Sequence, residues 1–504
     1  MDILFVHTNS SKVIYQDLAK RHSAIEPPIW AAMLANSVRS WGYGTAILDA
    51  EAERLDYIQA AKRISEVKAK IVCFVVYGQQ PSASSQNMEG ATATSEEFKK
   101  LSPGSFVVFV GGHVAALPID TLKAETSIDA VCQNEGVYTI KDLLDVANLR
   151  DTNQLKKVRG LYFRDEDGNI VTNASASIVA NDRLAQDLPG MAWDLLPPLS
   201  SYRTAGWHSW SNNNQKEPFA ALYTSLGCPY KCSFCMINII NRTDSSESVS
   251  SADSNIHRRW EPEFIINQFD YLAMQGVRNI KIADELFVLN PRHFVRICEM
   301  IKERGYDFNM WAYSRVDTCK PAYLEALHDA GVKWLGLGIE NPSQAVRKDI
   351  HKEGFHDVNV EEIIRRIRDA GIHVGGNYIF GLPSDTLESM QETLDFAMEN
   401  LTDMANFYCA MAYPGSPLHL LAKQNGNSLP ATYSGYSQHS YDCHNMANDQ
   451  LTAAEILAFR DQAWHKYHTN PRYLELMERQ FGPDTRTDIE KTAEIRLKRK
   501  LLGD

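Results

Sequence analysis

Short apolar runs alternate with helix-like segments along the first 148 residues. The runs are apolar at successive positions, as in strands that are covered on both faces. Segments with a helical spacing of apolar residues separate them, such as 27–43, 95–101 and 138–148. The strand candidates are residues 3–7, 44–50, 70–77, 106–112 and 129–136. The pattern predicts an α/β domain at residues 1–148 that is built on a doubly wound, parallel sheet.

A second alternation of strand and helix occupies residues 219–420. Helical stretches such as 261–276 and 360–371 lie between its apolar runs. The strand candidates are residues 221–227, 279–288 and 308–316, the run WLGLGIE that ends at Glu340, and residues 374–381 and 406–413. Six such steps predict a partial (β/α)6 barrel of the TIM type, whose chemistry lies at the carboxyl ends of its strands.

The remaining parts of the chain are less regular. Residues 149–218 form a predicted linker, with a hairpin at 160–173 that turns at Asp167–Gly168 and a polar loop at 207–218. Residues 421–504 are predicted to be mostly helical, with a helix at 451–468. The tail at 489–504 is expected to be a solvated charged helix or a frayed end.

Composition narrows the possible partners and compartment. The formal net charge is −12 and the sequence pI is about 5.7, which argues against a nucleic-acid partner because phosphate contact needs a basic face. The first ten residues lack a positively charged leader. Apolar runs fall short of the ~18 residues that a membrane helix needs. We therefore expect a cytoplasmic protein without a membrane span, whose scattered cysteines are free thiols.

Three cysteines stand together just after the first barrel strand. Cys228, Cys232 and Cys235 follow the spacing C-x3-C-x2-C. A zinc site usually takes four ligands as two close pairs, and a disulfide suits a different compartment. A [4Fe–4S] cluster normally takes four thiolates, so three would leave one iron open to a small molecule. We take the three cysteines as catalytic cluster ligands, with zinc or coincidence as the alternative.

This motif, with Phe234 before its third cysteine, resembles the signature of the radical S-adenosylmethionine (SAM) superfamily. The first sheet resembles the Rossmann-like, cobalamin (B12)-binding domain that precedes the barrel in one large class of these enzymes. Residues 27–53, the segment VGGHVAALP and the later NEG carry that likeness. The resemblance covers about residues 1–420 and implies a class B, methyltransferase-like radical SAM enzyme with a [4Fe–4S] cluster, SAM and cobalamin.

The resemblance also implies residues that bind SAM. Asp284 and Glu285 match acidic residues near the SAM amino group, and Ser314 and Arg315 match a pair at the ribose and carboxylate. The full implied set is Phe234, Asp284, Glu285, Ser314, Arg315 and Glu340. Structural roles are open for four of them: a cap for the acidic pair, a salt bridge to Asp317 for Arg315, and a helix N-terminus for Glu340.

For cobalamin, the resemblance points to the carboxyl ends of the sheet strands. The implied residues are Thr8, Tyr77, Ser84, Gly111, Gly112, His113, Glu135 and Gly136. Many cobalamin domains carry D-x-H-x-x-G after the first strand, and its histidine ligates cobalt. This chain has HTNSSKV there. We therefore predict cobalamin without a histidine ligand from that loop and a structural role for His7.

The implied reaction is methyl transfer to an unactivated carbon. One SAM methylates cobalt, a second yields a 5′-deoxyadenosyl radical that removes hydrogen, and methylcobalamin then supplies the methyl group. The substrate would be a small natural-product, lipid or sugar precursor, and a flavodoxin- or ferredoxin-type protein would donate electrons. Residues 436–444 could cover the substrate or simply pack as a loop.

Two other functions stay open. One is cyclisation or ring rearrangement on the same fold without methyl transfer. The other is a non-catalytic sensor or scaffold that binds cobalamin or the cluster. Methylthiolation of RNA or protein is disfavoured, because the N-terminal domain holds only Cys73 and Cys132 and the charge is acidic.

Overall fold

The computed structural model describes residues 1–20, 23–78, 80, 82–244, 246, 249–352 and 358–504. Its strands are β1 (Ile3–His7), β2 (Thr45–Asp49), β3 (Ile71–Val75), β4 (Phe106–Val110), β5 (Ala130–Cys132), β6 (Leu161–Arg164), β7 (Ile170–Thr172), β8 (Phe219–Leu222), β9 (Ser225–Leu226), β10 (Arg258–Arg259), β11 (Asn279–Ile282), β12 (Asn309–Arg315), β13 (Val332–Glu340), β14 (His373–Phe380) and β15 (Met404–Cys409).

Helices fill most of the connections between the strands. They are α1 (Ser11–Tyr15), α2 (Ile29–Ser40), α3 (Tyr57–Val67), α4 (Ala83–Leu101), α5 (Gly112–Ala116), α6 (Pro118–Ala124), α7 (Val137–Leu144), α8 (Thr152–Leu155), α9 (Leu184–Asp187), α10 (Gly206–Ser209), α11 (Pro262–Met274), α12 (Pro291–Arg304), α13 (Leu324–Asp329), α14 (Gln344–Asp349), α15 (Val360–Asp369), α16 (Leu387–Glu399), α17 (Pro417–Gln424), α18 (Ala453–His468), α19 (Pro471–Phe481) and α20 (Pro483–Glu494).

The N-terminal sheet is parallel across β1 to β5, in the order β2-β1-β3-β4-β5. Strands β1, β3, β4 and β5 are buried on both faces, because α2 and α7 cover one side and α3 and α4 the other, and the edge strand β2 is partly buried. The order reverses between β1 and β3, and open sheets of this kind bind ligands beyond the strand ends at such a point. The α/β prediction for this region is confirmed.

The hairpin that the sequence placed in a linker belongs to this sheet. β6 pairs with β5 and β7 pairs with β6, both antiparallel, and Gly168 at the turn has a φ of +83°. Apolar Leu161 and Phe163 continue the core at the sheet edge. The hairpin therefore extends the sheet beyond residue 148.

The second alternation forms the predicted partial barrel. Its strands are all parallel, in the order β8-β11-β12-β13-β14-β15. The predicted loop at 207–218 instead contains α10, and Trp207 packs edge-on against Trp311 and Trp334. These rings close the amino-terminal end of the barrel, so its opening faces the opposite end.

Two predicted segments differ from the structure for local reasons. The helix expected at 95–101 is the end of the longer α4, whose small residues, including Gly90 against Ser10, weaken its apolar period. The tail is also not frayed. Arg499 is buried and donates to both carboxylate oxygens of Asp461 at 2.9 Å. Within the described ranges, no helix is long and apolar enough to cross a bilayer.

Candidate functional site

A cavity of about 480 Å³ lies where the open end of the barrel meets the N-terminal sheet and the C-terminal segment. The three clustered cysteines line it together. Most of the predicted SAM residues line it too, namely Phe234, Glu285, Ser314, Arg315 and Glu340. The fold thus places residues of the loop that carries the three cysteines, called the cysteine loop below, in one space with residues from three barrel strands or strand ends.

The cysteine loop leaves β9 through a glycine that the backbone requires. Gly227 has a φ of +80°, and a Cβ there would lie 2.1 Å from the carbonyl oxygen of Ile256. The Asn238 side chain then braces Cys228, accepting from its N–H at 3.0 Å and donating to its carbonyl at 2.8 Å. Ser251 donates to the carbonyl of Cys235 at 2.5 Å. These contacts hold the loop in shape before any ligand binds.

The three thiols are partly accessible, whereas the other six cysteines are buried. Burial raises the pKa of Cys228 to about 12 and also raises the pKa values of Cys232 and Cys235. Metal binding must therefore displace protons from them. In the described part of the chain, no three metal-ligating side chains converge as they would on one ion. A structural zinc site takes four ligands, whereas three thiolates suit an iron–sulfur cluster with one open iron.

Arg315 lies beside the cysteine loop in a fixed orientation. Its guanidinium meets Asp317 in a two-pronged ion pair at 2.8 and 2.9 Å. It also lies 3.8 Å from the ring centroid of Tyr230 and 4.0 Å from the sulfur of Cys232. The salt bridge that the sequence left open does form, and Arg315 still faces the cavity.

The two adjacent acidic residues after β11 point to different places. Asp284 is fully buried away from the cavity, and its carboxylate accepts hydrogen bonds at 2.6 Å from Thr224 and Ser225. Glu285 lines the cavity and accepts from the N–H of Gly227 at 2.9 Å. Burial raises the pKa of Glu285 to about 8. A bound cation would stabilise its charged form, so Glu285 suits an ammonium ligand better than Asp284 does.

Charged side chains also lie deeper in the cavity. Lys281 is buried on β11, 3.0 Å from Glu26 of the N-terminal domain, and its ammonium lies 4.9 Å from the ring centroid of Trp311. Barrel interiors are usually filled by branched apolar side chains. A lysine here therefore creates a polar inner end for the cavity.

Most of the predicted cobalamin residues have protein contacts, and Tyr77, Ser84 and Gly112 line a smaller cavity that shares part of its wall with this one. His113 is buried and pairs with Ser85 at 2.9 Å, and burial lowers its pKa to about 3. Glu135 forms a buried ion pair with Arg258. A Cβ at Gly112 would meet the Met236 side chain at 2.9 Å. None of Thr8, Tyr77, Ser84, Gly111, Gly112, His113, Glu135 and Gly136 is among the described lining residues.

Other residues of the N-terminal domain do face the cavity. They lie mainly where β3 leads into α4, beside the topological switch point of the sheet. They are Tyr15, Glu26, Gln80, Ser82, Ala83 and Gln86. If cobalamin binds between the domains, these are the side chains positioned to hold it. His7, by contrast, is buried 3.5 Å from Glu51 and is not among the lining residues.

The C-terminal segment closes the cavity from a third side. Gln438 and His439 line it, while Tyr436 and Cys443 are buried in packing. Gln438 is held by its hydrogen bonds to the backbone of Cys409 at 2.9 Å. Part of the predicted covering segment therefore contacts the cavity, and part of it is core.

Several lining residues escaped sequence reasoning. Tyr230 could have been found, since it lies inside the cysteine motif. Lys352, Lys281 and Gln80 come from distant segments without a motif. Only their arrangement around one space distinguishes them from ordinary surface or core residues.

Two family models match the chain in the order that the fold displays. The B12 binding domain matches residues 18–144, and the radical SAM superfamily matches residues 222–397. The first covers most of the N-terminal sheet, and the second covers the barrel from β8 into α16.

Curated relatives and solved structures resemble nearly the whole chain. An uncharacterised methyltransferase of Pyrococcus horikoshii is 28% identical over 89% of both chains. The anaerobic magnesium-protoporphyrin IX monomethyl ester cyclase of Rubrivivax gelatinosus is 26% identical over 94% of this chain and 79% of its own. The radical SAM methyltransferase TsrM from Kitasatospora setae, solved with cobalamin and a [4Fe–4S] cluster, superposes with a TM-score of 0.66 at 18% identity, covering 98% of this chain and 99% of TsrM. The last likeness establishes the fold.

Proposed function

We propose that this chain, which belongs to the radical SAM enzymes with an N-terminal B12-binding domain, is a cobalamin-dependent methyltransferase acting on an unactivated carbon of a small molecule. The observation that carries the proposal is the shared cavity. Three partly accessible cysteines, Glu285 and Arg315 face the same space as residues of the N-terminal domain, mainly those where β3 leads into α4. Two cofactors and a substrate must meet in such a space for a methyl group to pass between them.

Each side chain has a chemical task in this proposal. The thiolates of Cys228, Cys232 and Cys235 bind three irons of the cluster. Glu285 binds the ammonium group of SAM, and Arg315, held by Asp317, faces its carboxylate. When bound, the cluster supplies an electron to SAM, and cobalamin carries the methyl group. The surrounding domains exclude water, which protects a reactive ligand.

The inner end of the cavity suits a small-molecule substrate. Lys281 and Glu26 offer charges there, and Tyr313 and Tyr408 offer aromatic surface. A natural-product, lipid or sugar precursor with a polar group would satisfy both features. A flavodoxin- or ferredoxin-type donor is the proposed source of electrons.

Ring formation without methyl transfer is a second candidate, favoured by one observation. The cyclase relative from Rubrivivax gelatinosus matches 94% of this chain. A cyclising enzyme needs the same cluster, SAM and cobalamin sites. The two candidates differ only in whether the methyl group of SAM reaches the product.

The test begins with oxygen-free reconstitution of the cluster and addition of hydroxocobalamin. Iron and cobalt are then counted in the wild type, in Cys232→Ala, and in Cys298→Ala, which removes a buried thiol of α12. Methyl-labelled SAM and a chemical reductant are added next, with small-molecule extracts as the substrate source. The assay follows 5′-deoxyadenosine and label in extracted products.

The methyltransferase proposal expects about four irons and one cobalt in the wild type and in Cys298→Ala. Cys232→Ala should lose SAM cleavage. Label in a product supports methyl transfer, whereas substrate-dependent cleavage without label supports cyclisation. Four irons without cobalt would refute cobalamin dependence. Absence of iron would refute the cluster itself. Full loading with iron and cobalt but no SAM cleavage in the wild type, together with unchanged cobalamin binding in Cys232→Ala, would favour the scaffold alternative.

A further inference from the structure

Glu340, the last residue of β13, has an unusual backbone conformation. Its φ is +61°, in the left-handed region that non-glycine residues rarely adopt. The register between β13 and β14 also shifts between Gly338 and Glu340. Such irregularities redirect a side chain near an active site. A strained backbone of this kind persists only where its surroundings hold it.

Lys352 is the residue that holds it. Its ammonium donates to the Glu340 carboxylate and, at 2.9 Å, to the carbonyl oxygen of Gly338. The two charged side chains are only 3% and 9% exposed. A Cβ at position 338 would lie 2.7 Å from the Glu340 carboxylate and 2.8 Å from the Lys352 ammonium. Glycine at this position therefore makes room for the ion pair.

Lys352 is also connected to the cysteine loop. Its N–H donates to the carbonyl of Arg347, the residue whose guanidinium binds the carbonyls that follow Glu340. Ile350 lies two residues before Lys352, and its carbonyl accepts from the N–H of Ser233, which stands between the second and third cysteines of the motif. One short segment thus contacts both the carboxylate of Glu340 and the loop that carries the cysteines.

We propose that Lys352 is a positioning residue for SAM: it holds Glu340 in the conformation that presents its carboxylate to the ribose hydroxyls. The inference rests on the proposed function, because it takes SAM as the ligand. Without the lysine, Glu340 would relax towards a negative φ, and its carboxylate would leave the cavity wall. Lys352 therefore contributes to SAM affinity through Glu340 and not through iron binding.

The test measures SAM binding to the cluster-loaded protein by anaerobic titration calorimetry. No reductant is added, so SAM stays intact and the readout is a dissociation constant. Lys352→Met, Glu340→Gln and the double variant are compared with the wild type, and iron is counted in each. Lys348→Met is the matched control, because Lys348 is an exposed lysine on α14.

Lys352→Met should bind SAM about tenfold more weakly, which is about 1.4 kcal/mol, with an unchanged iron count. The double variant should bind no more weakly than Glu340→Gln, and Lys348→Met should match the wild type. Gly338→Ala should also weaken binding, because its Cβ would displace the ion pair.

Three results would overturn the inference. Unchanged affinity in Lys352→Met would show that Glu340 needs no support. If the double variant lost SAM affinity by the product of the two single-variant losses, Lys352 would act on SAM independently of Glu340. Loss of iron in Lys352→Met would make it part of cluster binding. An iron-loaded wild type that does not bind SAM would instead refute the proposed function.

Discussion

A buried ion pair connects the N-terminal sheet to the barrel, and its removal gives a quantitative test of the domain interface. Arg258 on β10 lies 2.7 Å from the carboxylate of Glu135, with side chains 3% and 1% exposed. The guanidinium also donates to the carbonyl of Val179 at 2.6 Å and to Asn241 at 3.0 Å. Glu135 in turn accepts from the N–H of Val179 at 2.5 Å. Replacing Arg258 by Met would leave the Glu135 carboxylate buried without this cation.

The expected loss of stability follows from that burial. Removing one partner of a buried pair costs about 3–5 kcal/mol. A chain of 504 residues unfolds with an entropy of about 1 kcal/mol per kelvin near 60 °C. If it unfolds as one unit, Arg258→Met should melt about 3–5 °C below the wild type.

Scanning calorimetry of proteins with equal iron and cobalt content is the assay. The double variant Glu135→Gln/Arg258→Met should melt above Arg258→Met, because glutamine is uncharged and its amide oxygen can still accept from Val179. Arg278→Met, which removes an exposed partner of Asp307, should change the melting temperature by about 1 °C or less. A double variant that melts no higher than Arg258→Met would refute the argument from an uncompensated buried charge.

Two further predictions concern the cysteine loop and the tail. Gly227→Ala should prevent most iron loading. The control Gly276→Ala should load iron normally, because Gly276 has a similar φ of +72° but no atom within 4 Å of its Cβ. Equal iron in both variants would show that the contact with Ile256 is unimportant. Burial alone would raise the pKa of Asp461, but hydrogen bonds from Arg499 hold it below its usual value. The ion pair therefore stabilises the fold above pH ~3.9, and its contribution is lost as the pH falls through the lowered pKa. Arg499→Met should therefore unfold at lower urea than the wild type at pH 7, with the gap closing below about pH 4; a constant gap would indicate lost packing.

The cysteine motif and the strand order could be predicted because both are local in sequence. Three cysteines within eight residues need only one loop, and parallel strands show as continuous apolar runs. The different positions of Asp284, which is buried, and Glu285, which lines the cavity, could not be predicted. The two carboxylates are adjacent, and only the ends of β8 and β9 decide that one is bound by hydroxyls while the other reaches the cavity.

The sequence by itself determined the α/β class, the partial barrel, and the loop that carries Cys228, Cys232 and Cys235. The tertiary structure alone decided which N-terminal residues face the cavity, because segment 236–242 packs over part of the sheet edge and leaves Gln80 and Gln86 towards the opening. It also decided that Lys352 supports Glu340. Apolar period and local spacing record how each element is built, but a site between domains depends on how surfaces far apart in sequence pack together.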